Sequence, residues 1–370
     1  MPGNARVSLS ILLACFALTL VFVASLNYFV DPLGLYDSGR RATAAAVQLA
    51  AGRDLVAKDI ADRGIQLAYT EVAKKTPDVL VIGSSRIMEI DSSAAPERKL
   101  YNAGVSTLTL PDLLGIIDSY VEAKKLPPVI VIGIDTWLFN HVPVNDRWRA
   151  LSSQYKRMLA RLGVKDDAGY SGIPSKLFNL VSLNYTLASA AKVLAEGRST
   201  FYRTYAPDFE LADKNTKVAV KSSDGSLKYG EKMRSRTVSD VRVYAIEYAR
   251  KHMTAILKGG WLAPQEIDVF TRLVRFLKSQ GTSVVLLMPP YHPLHYAYVR
   301  EHDGEDSLSK TEATIREIGR ETGATVAGSY DPAKAHCSEA EFWDGMHARK
   351  SCLTRLLEPA LATVSSAHKS

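Results

Sequence analysis

Short, uninterrupted apolar runs set the limits on this fold. Val79-Leu80-Val81-Ile82 ends at Gly83, Val129 to Ile134 reads VIVIGI, and Val284 to Met288 reads VVLLM before Pro289 and Pro290. A strand that is apolar at every position leaves no face for water, so these runs predict a parallel sheet covered on both sides. Leu100-Tyr101-Asn102 and Ala324 to Ala327 are shorter strand candidates. Between them lie helical patterns: Leu110 to Ala123 with Pro111 at its start, Gln265 to Ser279, and Lys310 to Thr322. Proline is tolerated in a first helical turn, where its missing N–H is not needed. Strands alternating with helices predict an α/β protein, an open parallel sheet in three α/β/α layers.

About 140 residues separate the third and fourth strands, far more than a crossover needs. This stretch, about 140–262, reads as an insertion capping the sheet. It carries helical patterns near Arg147 to Leu162 and Leu183 to Leu194, then a segment, Lys217 to Tyr229, that resembles a hairpin turning at Asp224-Gly225. Residues 42–76 have helical spacing, with Leu49, Val56, Ile60 and Ile65 as the apolar face. No repeat, low-complexity tract or linker divides residues 31–370, which are expected to form one domain.

The first thirty residues differ from the rest. Val7 to Val30 carries no charge and is long enough as a helix to cross a hydrocarbon core of about 30 Å. A cleavable signal peptide is the rival, with Val23-Ala24-Ser25 as its site, but the apolar run is long for that role. Cys15 sits in a Leu-Leu-Ala-Cys context, yet the run continues well past it. An uncleaved anchor over residues 1–30 is the reading preferred. Asp31-Pro32 and Gly34 stop the helix, and Tyr28, Phe29 and Tyr36 suit a membrane interface. Arg6 on one side and Arg40 and Arg41 on the other leave the orientation open.

The formal net charge of +7 is spread along the chain, with no basic stripe interleaved with aromatics, so nucleic acid is not an expected partner. No His, Asp and Cys spacing matches a zinc site, and no metal or cofactor is expected. Outside the apolar run the only cysteines are Cys337 and Cys352. A disulfide between them suits an oxidising compartment, and two separate buried thiols are the alternative.

Chemistry concentrates at two places. Gly83-Ser84-Ser85-Arg86 follows the first strand, where an open parallel sheet displays its ligands beyond the carboxyl ends of its strands. A serine pair capping a helix would use the same letters. The second place, Phe342-Trp343-Asp344-Gly345-Met346-His347, supplies what a serine nucleophile lacks: a general base and a carboxylate to orient it. Arg86 could bind a substrate carboxylate or phosphate, or pair with a loop acid. His292, after the Pro289-Pro290 strand end, could line a pocket, and Trp343 could wall it.

Together these motifs resemble the SGNH (GDSL-like) hydrolase superfamily. Within it they resemble the membrane-anchored D-alanyl transfer proteins and their polysaccharide O-acetylation relatives. The resemblance covers NYFVDPLG, VLVIGSSR, YNAGVS, VIVIGID and FWDGMH, in that order. It implies a flavodoxin-like sheet and a triad of Ser85, Asp344 and His347. It also implies an oxyanion hole from the N–H groups of Ser85 and Gly104. The family's third-block Asn is replaced by Asp135, whose carboxylate is expected to turn away and cap a loop, leaving Asn102 or Asn140 to supply a donor. The activity implied is that of a serine esterase or acyltransferase on O-acyl groups, D-alanyl or acetyl, of envelope glycans or lipid-linked carriers. Such a protein would sit in the cytoplasmic membrane with its domain periplasmic, alongside a membrane-bound O-acyltransferase. The rivals are an inactive scaffold binding an envelope polymer or that partner, and a nucleotide-binding domain using Gly83 to Arg86 as an anion loop.

Overall fold

The computed structural model describes residues 2–32, 40–57, 62–165, 175–197, 211–212, 217–256, 261–304 and 306–367. The chain opens with helix α1 (Pro2–Val30), then α2 (Arg40–Ala50), strand β1 (Leu55–Val56) and α3 (Asp62–Val72). The alternation follows: β2 (Val79–Ile82), β3 (Leu100–Asn102), α4 (Leu110–Glu122) and β4 (Val129–Gly133). Next come α5 (Ser152–Arg161), α6 (Ser175–Leu180), α7 (Leu183–Glu196), the strands β5 (Val220–Lys221) and β6 (Leu227–Lys228), and helices α8 (Glu231–Arg234) and α9 (Val238–Ile256). The chain returns to the sheet through α10 (Pro264–Ser279), β7 (Ser283–Met288), α11 (Pro293–His302), α12 (Ser307–Thr322), β8 (Thr325–Gly328) and α13 (Lys350–Ala367).

Five strands form the parallel sheet, in the order β3-β2-β4-β7-β8. Counted along the chain this is the flavodoxin-like order 2-1-3-4-5, whose direction of winding reverses beside the first strand. Side chains alternate between two apolar layers, as the period of a strand requires. Leu80, Ile82, Ile130, Ile132, Leu286 and Met288 face a core built with α4 and α10. Val79, Val81, Val129, Val131, Val285 and Leu287 face the opposite core, which α13 covers with Leu353, Leu357 and Leu361. Each of these twelve strand side chains is at most 2% exposed, which explains why the runs carry no polar letter.

Two expectations need correction. Residues 42–76 are not one helix. Gly52, at φ +82°, ends α2, and Leu55–Val56 then pairs antiparallel with Val220 and Lys221. Ile60 lies outside the described residues, as do Gly34 and Tyr36. The stretch Arg147 to Leu162 is not part of a cap. It is a 3-10 turn, Arg147–Leu151, running into α5, and its Trp148, Leu151 and Met158 are buried in the main core against α4.

The hairpin is present, with β5 and β6 antiparallel and Gly225 at φ +80° in the turn. It is clamped to the sheet: Asn102 N–H donates to the Asp224 carbonyl at 2.8 Å, and Leu227 N–H to the Met88 carbonyl at 2.8 Å. A Cβ on residue 225 would stand 2.2 Å from the Asn102 carbonyl oxygen, so close approach as well as the positive φ calls for glycine. Among the described residues one helix, at Leu9–Val30, is long and apolar enough to cross a membrane.

Candidate active site

The site forms where the sheet's winding reverses, beyond the carboxyl ends of β2 and β4. Gly83 and Gly133 end these neighbouring strands, and a Cβ on either would come within 2.6 Å of the Ile87 side chain. The two glycines let the chain turn sharply enough to seat Ile87 beneath Ser85. Ser84 N-caps the short turn Ser85–Ile87, and its hydroxyl accepts from Arg86 N–H at 3.2 Å.

Ser85 Oγ lies 2.9 Å from His347 Nε2. His347 Nδ1 lies 2.9 Å from both Asp344 carboxylate oxygens. An ionised carboxylate only accepts, so Nδ1 carries the ring proton and Nε2 is left to accept from the serine hydroxyl. Asp344 is 1% exposed, and its Oδ1 also accepts from Met346 N–H at 2.8 Å and His347 N–H at 3.0 Å. Burial pushes the Asp344 carboxyl up, but His347 and the two backbone donors outweigh it and hold it below the usual carboxylate range. A loop of four residues thus fixes its own base.

The disulfide Cys337–Cys352 closes the segment that carries Asp344 and His347 onto the first turn of α13, so the paired reading of these cysteines holds.

Arg86 does not face a substrate. It is 1% exposed and every part of its guanidinium is engaged. Nη1 donates to Asp135 at 2.9 Å, Nη2 to the carbonyls of Pro289 and Pro290 at 2.6 and 2.9 Å, and Nε to the Met346 carbonyl at 3.0 Å. The Tyr291 ring lies 3.8 Å beneath it. Burial disfavours the charge, but Tyr291 and Asp135 hold the guanidinium protonated, above its ordinary value. Asp135 does turn away from the nucleophile, toward Arg86 and the Ser84 hydroxyl rather than to cap the turn that follows it.

The residues expected to supply oxyanion donors divide unevenly. Ser85 N–H makes no hydrogen bond among the described residues and points from the start of its turn. Gly104 N–H donates to Asn102 Oδ1 at 2.9 Å. The Asn102 amide is no free donor, because its Nδ2 is spent on the carbonyls of Ile87, Met88 and Ile90. Asn140 is buried with neither amide atom partnered, and no contact brings it to Ser85.

His292 is also corrected. It is fully buried, and its Nδ1 accepts from Leu294 N–H as the N-cap of α11. Burial pushes its pKa down to about 4, against the opposing pull of Glu339. Trp343 is largely buried, held by Glu89 through its N–H at 2.8 Å and by the Arg349 guanidinium 3.9 Å from its ring.

Two residues at the site carry no motif. Tyr229, just past β6, places its ring 6.0 Å from His347 and 6.1 Å from Trp343. Tyr248 on α9 stands edge-on to His347 at 6.3 Å. Burial, then Asp344, drives the Tyr229 hydroxyl well above its ordinary range, so it stays a neutral donor. Both tyrosines come from the stretch between β4 and β7, one from the hairpin and one from α9. Among the described residues no group of three or more His, Cys, Asp or Glu is placed to hold a metal ion. Comparison of the chain with protein-family models and with curated proteins finds no match.

Proposed function

We propose that this chain is a membrane-anchored serine acyl-ester hydrolase or acyltransferase of the SGNH type. The observation that carries the reading is the continuous relay from Ser85 Oγ through His347 to buried Asp344. In the first half-reaction His347 Nε2 takes the Ser85 proton as Oγ bonds to the acyl carbonyl carbon. The negative charge gathers on the carbonyl oxygen, next to the free Ser85 N–H. Collapse breaks the bond to the leaving oxygen, which receives the proton from His347. In the second, water or a glycan hydroxyl gives its proton to His347 as its oxygen bonds to the acyl carbon; collapse breaks the bond to Oγ, which takes the proton back from His347. Asp344 stabilises the imidazolium in both halves without taking its proton.

The resemblance supports an O-acyl substrate, D-alanyl or acetyl, on an envelope glycan or lipid-linked carrier, with a membrane-bound O-acyltransferase as partner. The apolar Leu9–Val30 helix supports a single-pass anchor in the cytoplasmic membrane, and the disulfide supports a periplasmic domain. Ser85→Ala is expected to abolish fluorophosphonate labelling and p-nitrophenyl acetate turnover while leaving the unfolding midpoint unchanged; persistent labelling would reject the assignment. A non-catalytic scaffold is the second reading, favoured by the Gly104 N–H already taken by Asn102. It requires that the unmodified protein resist labelling altogether.

A further inference from the structure

Helix α7 has two apolar sides. Its inner side, with Tyr185 and Ser189 buried, packs with α6 on the end of α1. Its outer side carries Leu183, Leu187 and Leu194, which are 72%, 59% and 87% exposed. Across fourteen residues the helix has only Lys192 and Glu196 as charges. Leu177 and Phe178 of α6 and Val181 in the connecting turn extend the exposed apolar surface. Large apolar side chains exposed so close together mark a binding face rather than ordinary scatter.

The place of that face names its occupant. Asn27 of α1 is fully buried, and its Nδ2 donates to the Leu180 carbonyl at 2.9 Å and to Thr186 Oγ1 at 2.8 Å. Asp31, one residue past α1, accepts from the Tyr185 hydroxyl at 2.5 Å. Side chains of α1 from Leu9 to Phe22 are bare, whereas Asn27 and Val30 are covered. The covered end of α1 is therefore wrapped by α6 and α7, and the bare remainder is what acyl chains would surround. A polar Asn within such a run finds acceptors for its Nδ2 only because the α6–α7 turn reaches it.

We propose that α6 and α7 lie in the leaflet beneath the catalytic domain, with the leucine face of α7 against lipid acyl chains. This rests on the reading of α1 as a membrane span. A helix lying flat in the interface with its apolar side down is the established mode of such binding. Here the usual polar side of the interfacial helix is replaced by packing on protein. The domain is then held to the bilayer by two contacts, α1 and this pair, which fixes its tilt. That arrangement fits a substrate presented from the membrane surface.

The test uses the full chain with Cys15→Ser, reconstituted one copy per nanodisc in phosphatidylethanolamine and phosphatidylglycerol. A nitroxide is attached at Leu187→Cys or Leu194→Cys, with Arg272→Cys as an aqueous control. Both α7 labels are expected to relax severalfold more with oxygen than with a water-soluble nickel chelate, and the control to show the reverse. Nickel-dominated relaxation at both α7 positions overturns the proposal, and the face then awaits a second copy or a membrane protein. Alkaline carbonate extraction separates the premise: a chain washed off the bilayer has no spanning α1, whereas a retained chain with water-exposed labels has the span without the lipid contact. Fluorophosphonate labelling of Ser85 in each variant reports separately on the enzymatic reading.

Discussion

Arg86 stands next to Ser85 in sequence yet holds the loop of His347. Its guanidinium joins the turn after β2, the loop after β4 through Asp135, the loop after β7 through Pro289 and Pro290, and the histidine loop through the Met346 carbonyl. Arg86→Met leaves Asp135 as an uncompensated buried charge, and the expected loss is about 3–5 kcal/mol of stability in urea denaturation. Replacing Asp135 with Leu in the same chain should recover much of that loss without recovering turnover, because the Met346 carbonyl still lacks its donor. His292 predicts a pH effect. Its neutral form is favoured in the fold, so the unfolded chain binds the proton first as pH falls from 6.5 toward about 4. Stability is therefore full above this window and falls through it. His292→Asn should flatten that slope in urea titrations between those limits, and an unchanged slope would assign the acid sensitivity elsewhere. The hydrogen-bonded set of Ser85, His347 and Asp344 was legible because all three are recognisable residue types in short motifs. The role of Arg86 was not, since three of its five partners are backbone carbonyls, which leave no letter in a sequence. The burial of His292 was hidden for a related reason: a histidine accepting from a backbone N–H reads like any loop histidine.

Among the elements, the loop from Cys337 to Cys352 carries two of the three triad residues and is closed by the disulfide with a sequence separation of 15. Opening a loop of that length removes about 3 kcal/mol in the chain-entropy picture. The double Cys337→Ser/Cys352→Ser variant should unfold at correspondingly lower urea and lose turnover more steeply on warming than the parent. Equal midpoints would show that the bond contributes nothing to the loop's order. The central strands β2, β4 and β7 were readable because burial on both faces leaves them almost wholly apolar. Strand β1 was not: two residues, Leu55 and Val56, carry no period, and they become a strand only when Val220 and Lys221 arrive from far along the chain. The same limit hid Tyr229 and Tyr248. The hairpin turn at Asp224-Gly225 is a local signal, but its docking on β3 and Met88, which brings Tyr229 to His347, is a tertiary fact.

For the whole molecule, α1 packs on α6 and α7, whereas the triad is held by the sheet's carboxyl end and the start of α13. Removing residues 1–32 should therefore leave fluorophosphonate labelling of Ser85 intact while exposing the inner side of α7, where Tyr185 loses Asp31. Light scattering should show self-association that mild detergent reverses; a monomeric truncated chain without detergent would argue that α6 and α7 do not depend on α1. The nucleophile and its base are 262 residues apart, and the base comes from the last part of the chain. In the proposed reaction, a chain still being made thus exposes Ser85 long before anything can draw off its proton. Reactivity would then switch on only once the His347 loop has docked, so an unfinished copy would be chemically mute toward esters.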